Sequence, residues 1–197
     1  MGVLKAVLVP FQIWNDFVLK IGRGIAIVAM AAMVIAILVQ VFFRYILNNA
    51  LPWPEEAARF MMLWMTGLIA PTAYRRGGFV AIDMLALALP ARLGALLTLV
   101  LLLIAGSVLF VSIGIGWKEV TGFGGRFASE ALWIPLSPDF ETWYRLPRSW
   151  MMSSLLVGVV LLFIVNVELV LRSLIAIMGG AGDLRPIPAA PDEIMAE

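Results

Sequence analysis

Glu55, Glu56 and Arg59 are the residues in this chain whose types and spacing could most readily do chemistry. A pair of carboxylates can act as general acid and base, but only beside a substrate site. No nucleophile, metal-ligand cluster or phosphate-binding loop accompanies this pair, so catalysis is a poor reading of it. Glu55 and Arg59 are four apart with the acid first, and Glu56 and Arg59 are three apart; both spacings pair side chains on a helix. Two acids facing one arginine leave a carboxylate over for another subunit or for lipid headgroups. The plainer alternative is an exposed intrahelical pair worth a few tenths of a kcal/mol. Trp53 flanks the charged turn, and Trp64, eight residues beyond Glu56, falls on nearly the same helical face about two turns deeper.

The other ionisable residues suggest less. Arg75 and Arg76 follow an apolar stretch and fit the cytoplasmic enrichment of basic residues. Asp83 could pair with either of them or cap a following helix. Glu168 and Arg172, four apart, are read as a solvated helix end. No apolar stretch has an ionisable residue near its middle. Ion-coupled carriers relay charge through the membrane, so this chain is poorly equipped to move an ion alone. It has no cysteine and no histidine, which removes thiol chemistry and the usual axial ligands of a b-type haem. No cofactor is expected.

The elements that position these residues are membrane elements. Hydrophobic residues are 62% of the 197, charged residues 14%, and the mean hydropathy is +1.00. That composition predicts an all-α integral membrane protein. The net charge of +1 and the lack of a basic tract argue against nucleic acid as a partner. Spans are expected at about 24–43, 54–74, 93–117 and 149–170. The second has only 60–74 free of charge, about 22 Å of helix and too short to cross. Started at Pro54, with Glu55 and Glu56 at the positive end of the helix dipole, it is long enough. Pro71 would bend it near its far end.

Two interfacial helices are expected as well. In residues 3–22, Lys5, Gln12, Asp16, Lys20 and Arg23 share one face, while Phe11, Trp14, Val18 and Ile21 lie away from it. This predicts an amphipathic helix lying on the membrane, with Pro10 as the place for a kink. The stretch 79–89 is too short to cross, is interrupted by Asp83 and ends at Pro90, and fits a helical elbow between spans two and three. Residues 1–178 thus form one membrane domain, and 179–197, rich in Gly, Pro and Ala, a flexible tail. Eight of the fourteen basic residues lie on the side of the two termini, which places both termini in the cytoplasm. The outer loop 118–147 is rich in aromatics that suit the headgroup level; a docking surface for an outer partner is the sharper alternative.

These residues resemble the small membrane subunit of tripartite ATP-independent periplasmic (TRAP) transporters. The family pattern closes its first span with arginine and opens its second with Trp, two acids, two apolar residues and arginine. Here that reads Arg44-Tyr45, Asn48-Asn49, then Trp53-Pro54-Glu55-Glu56-Ala57-Ala58-Arg59-Phe60, with Trp64 and Gly67 following. Downstream come Arg76-Gly77-Gly78-Phe79-Val80-Ala81-Ile82-Asp83 and Leu89-Pro90. Phe79 stands where relatives often have histidine. Ile134-Pro135, Trp143-Tyr144 and Leu146-Pro147 are similar to the family's approach to its last helix, with extra residues between. The close match covers roughly Arg44 to Pro90.

The resemblance implies a four-helix, non-catalytic scaffold in the bacterial inner membrane, paired with a large membrane subunit that holds the substrate and sodium sites. A periplasmic binding protein would deliver the substrate, usually an organic acid, and could meet loop 118–147. Trp53, Glu55, Glu56, Arg59 and Trp64, with Arg44, Arg76 and Asp83, would then be subunit-interface or lipid-contact residues. The alternatives are an independent small carrier acting as a homo-oligomer, which would want a membrane-embedded carboxylate, and a membrane anchor of another complex.

Overall fold

A computed structural model describes residues 2–77, 90–135, 143–180 and 184–187. Four long helices dominate: α1 (Gly2–Tyr45), α2 (Trp53–Arg75), α3 (Ala91–Thr121) and α4 (Ser149–Ile177). Between α3 and α4 lie a 3-10 turn (Gly124–Arg126) and two antiparallel strands, β1 (Ala128–Pro135) and β2 (Trp143–Pro147). The hairpin is an addition to the all-helical expectation.

Three segments are long and apolar enough to cross a membrane: Ala6–Tyr45, Leu93–Thr121 and Ser149–Ile177. Helix α2, at 23 residues, is about 34 Å long, but Glu55, Glu56, Arg59 and Arg75 dilute its apolar character. It starts where proline and acids favour a helix N-terminus, and Pro71 lies inside it.

The N-terminus departs from expectation. Residues 3–22 and 24–43, anticipated as an interfacial helix followed by a span, form one uninterrupted α1 of 44 residues, with Pro10 inside it. Nothing between Arg23 and Gly24 forbids α-helical backbone, and glycine alone costs only about 1 kcal/mol there. The face that packs inward is also not the expected apolar one. Leu8, Gln12, Asn15 and Leu19 form the buried stripe, at helical spacing, while Trp14, Phe17 and Ile21 are exposed. The helix turns part of its polar face inward because partners for those side chains wait there. Residues 79–89, the expected elbow, lie outside the described residues, as does most of the tail.

The chain divides into two compact units: Met1–Lys20 with Ala70–Val111 and Val160–Glu197, and Ile21–Ile69 with Ser112–Val159. The first unit has a mixed core. Leu8, Leu19, Val165 and Ile175 are buried together with Asn15, Arg75, Asn166 and Glu168. Helix α4 ends here in a tight cap: Gly179 takes a φ of 86°, Gly180 N–H bonds to the Ile175 carbonyl at 3.0 Å and Gly179 N–H to that of Ala176 at 3.0 Å. A left-handed residue there favours glycine.

The second unit packs through small side chains. Ala26, Ala36, Ala57 and Ser154 are buried, and α2 and α4 touch backbone to backbone at Gly67 and Gly158. A Cβ on Gly67 would sit 2.5 Å from the Ser154 carbonyl oxygen, and one on Gly158 would sit 2.9 Å from the Gly67 Cα. Close approach through small residues is the usual packing of membrane helices, where dispersion replaces the hydrophobic drive.

Candidate functional site

The polar centre of the first unit is built on Glu168, whose side chain is fully buried. Val165, Glu168, Arg172 and Ile175 share one face of α4 by their spacing. That face meets the buried stripe of α1 and the end of α2. Asn15 Nδ2 donates to Glu168 Oε2 at 2.6 Å, and Arg75 Nη2 donates to Oε1 at 2.9 Å. Arg172 Nε donates to Oε1 as well, at 2.9 Å. Arg75 Nε stands 2.9 Å from Oε2. Both carboxylate oxygens are therefore occupied, and two guanidinium groups balance one carboxylate.

Asp16 supplies the second negative charge. Arg75 Nη1 donates to its Oδ1 at 2.5 Å, so Arg75, with only 5% of its side chain exposed, is clamped between carboxylates from α1 and α4. A charge removed from water is tolerable only when paired and hydrogen-bonded in this way. The chain after α4 returns to the same cluster: Arg172 Nη1 donates to the carbonyl of Arg185 at 2.8 Å, and Arg185 Nη1 is 3.7 Å from Asp16 Oδ2. Beside it is a neutral cluster. Tyr74 donates its hydroxyl to Asn166 Oδ1 at 2.5 Å. Asn166 Nδ2 donates to the Leu102 carbonyl at 3.1 Å, and Ser173 Oγ donates to that of Ala95 at 3.3 Å. Buried polar groups in apolar surroundings need such partners.

Two sequence expectations are corrected here. Glu168 and Arg172 are not a solvated helix end, because α1 and α2 cover them. Arg75, read from sequence only as one of two basic residues after an apolar stretch, is the central cation of the cluster. Arg76 is exposed at the end of α2, and Asp83, read as a partner for either arginine or a cap of the following helix, lies outside the described residues. The pointer available in sequence was Asn166 and Glu168 themselves, two strongly polar residues in an otherwise apolar run.

The turn that led the sequence reading lies in the second unit. Arg59 Nη2 donates to Glu55 Oε1 at 2.6 Å, with side chains 67% and 68% exposed, so this pair is a solvated one. Glu56 is partly buried and engaged in its own contact. Trp53 is exposed. Trp64 packs against Phe60 with ring centroids 6.3 Å apart, and its indole N–H is buried without a partner among the described residues. Arg44 lies 5.9 Å over the Tyr45 ring. The geometry brings Glu55 to Arg59 and Phe60 to Trp64. Among the described residues, no group of three or more Asp or Glu is placed to hold a metal ion.

An ion cluster of this kind can pin helices together, and both oxygens of its buried carboxylate, Glu168, are already bonded. No curated protein matches the chain. The family model for tripartite ATP-independent periplasmic transporters, DctQ component, matches residues 33–176, which include α2, α3, nearly all of α4 and the residues Arg75, Asn166, Glu168 and Arg172. A membrane protein of apolar helices locked by internal ion pairs, matched over most of its length by that model, belongs to the DctQ family, the small membrane component of TRAP transporters.

Proposed function

We propose that this chain is the non-catalytic scaffold of a sodium-driven, binding-protein-dependent TRAP transporter that imports an organic acid. It spans the bacterial inner membrane four times with both termini in the cytoplasm, and it supports a separate large subunit that carries out transport. The observation that supports the scaffold role is the occupancy of Glu168: Asn15, Arg75 and Arg172 use both of its oxygens. A carrier needs a carboxylate that exchanges ligands as the ion moves, and this one is committed to holding helices. Sodium coupling and the acid substrate rest on the resemblance of residues 44–90 to the family.

Trp53, Glu55, Glu56, Arg59 and Trp64 serve as the contact with the large subunit or with lipid. The exposure of the Glu55–Arg59 pair suits that role, since such a pair contributes little to the fold itself. Reconstitution tests the reading. Liposomes holding this chain alone should take up no organic acid in response to a sodium gradient, and adding the large subunit and binding protein should establish uptake. Sodium-dependent uptake by the chain alone would refute the scaffold.

A further inference from the structure

We infer that the connection between α3 and α4 is a membrane-interface anchor: its 3-10 turn and hairpin lie in the phospholipid headgroup layer, with aromatic rings inserted and basic side chains on lipid phosphates. The inference goes beyond the scaffold reading and needs only that α3 and α4 cross the membrane.

The base of the connection is fixed at the helix ends. At Gly125 the chain folds back on the last turns of α3, so closely that a Cβ would stand 2.6 Å from the Val120 carbonyl oxygen and 2.9 Å from that of Glu119. Arg148 N–H donates to the Phe127 carbonyl at 2.8 Å, and Ala128 pairs with Pro147. The chain therefore leaves α3 and enters α4 through a closed base. Trp117 and Trp150, near those two helix ends, are 62% and 56% exposed. Tryptophan near the end of an apolar helix marks the headgroup level, so the base of the hairpin belongs at that level.

The side chains there fit the layer. Phe123 is 78% exposed and meets Phe127 edge-on, with centroids 5.2 Å apart. Tyr144 and Trp133 are also exposed, and Arg145 lies 4.7 Å over the Trp133 ring, a cation–π pair of the kind that suits a half-wet site. So many exposed rings call for a cover. The base is also basic on balance: among the described residues Lys118, Arg126, Arg145 and Arg148 lie near it, against Glu119. An excess of cations beside exposed rings at the helix ends matches a surface of lipid phosphates over hydrocarbon better than a soluble protein.

The chain has no cysteine, so single substitutions label one site each. Phe123→Cys and Tyr144→Cys, each carrying a nitroxide, would be placed in phosphatidylcholine–phosphatidylglycerol nanodiscs as the full chain. Leu103→Cys on exposed α3 serves as the insertion control. Power saturation with oxygen and a water-soluble nickel chelate reads depth, calibrated on lipid-borne nitroxides. The anchor predicts chelate access at both sites several-fold below that of an aqueous label, at headgroup depth. Arg126→Gln with Arg148→Gln should move both labels toward water. Full chelate access in the parent, or immobilisation of the labels only when the binding protein is added, overturns the anchor. Unchanged depth in the double arginine variant overturns the phosphate contacts.

Discussion

Glu168→Gln is the sharpest perturbation of this molecule. Glutamine keeps the shape and removes the charge, and its amide group must present donors to a site that already holds donors from Asn15, Arg75 and Arg172. Removing one partner of a buried ion pair costs about 3–5 kcal/mol. Asp16 still holds Arg75, and the Arg185 carbonyl still accepts from Arg172, so the low end, about 3 kcal/mol, is expected here. That is roughly a hundredfold in the folded-to-unfolded ratio. The assay is reversible unfolding in mixed micelles with rising SDS, followed by tryptophan fluorescence. Arg75→Gln should cost at least as much, because it takes a cation from two carboxylates at once, leaving Glu168 with Arg172 and Asn15 and Asp16 with the more distant Arg185. The double variant should fall short of the sum by about 0.5–3 kcal/mol, the range for groups in one network. A loss under about 0.5 kcal/mol for Glu168→Gln, or strict additivity, would refute the view that this cluster locks the helices.

Other substitutions probe separate features. Gly158→Ala should destabilise by about 1–3 kcal/mol, since the methyl group meets Gly67 backbone; Gly114→Ala, with nothing within 4 Å, should cost nothing in the same unfolding assay. Tyr74→Phe should cost about 1–2 kcal/mol by leaving Asn166 Oδ1 without its hydroxyl donor, and equal stability would argue that water replaces it. Glu56→Ala with Arg59→Ala should leave the chain able to insert yet weaken co-purification with the large subunit. Undiminished co-purification would reduce that turn to a helix end.

Much of the helical layout was legible because long apolar runs have few alternatives. Helix α2 was found from Trp53-Pro54-Glu55-Glu56, a start signal that outweighs the diluted hydropathy of 54–74. The N-terminal segment was misjudged because amphipathicity reports that two faces differ and is silent on which one meets protein. Asn15 goes inward because α4 carries its partner, Glu168. Glu168 and Arg172 were assigned to solvent for a related reason: a four-residue spacing exposes neighbours on one helix, whereas Arg75 is 93 residues away and Asn15 is 153. The hairpin had a local signal, the Leu-Trp-Ile and Trp-Tyr runs beside prolines, which β-branched and aromatic preference makes plausible strands. The membrane context of the flanking sequence obscured it.

The cluster around Arg75 also bears on how the chain is made. Asp16 and Arg75 belong to the first two helices synthesised, and they can neutralise each other before α4 exists. Glu168 arrives last, with only Arg172 on its own helix as a partner. A buried carboxylate is tolerable only when paired and hydrogen-bonded, so α4 packs favourably when the Arg75–Asp16 pair is already in place to receive it. The first half of the chain thereby acts as a template for the last helix.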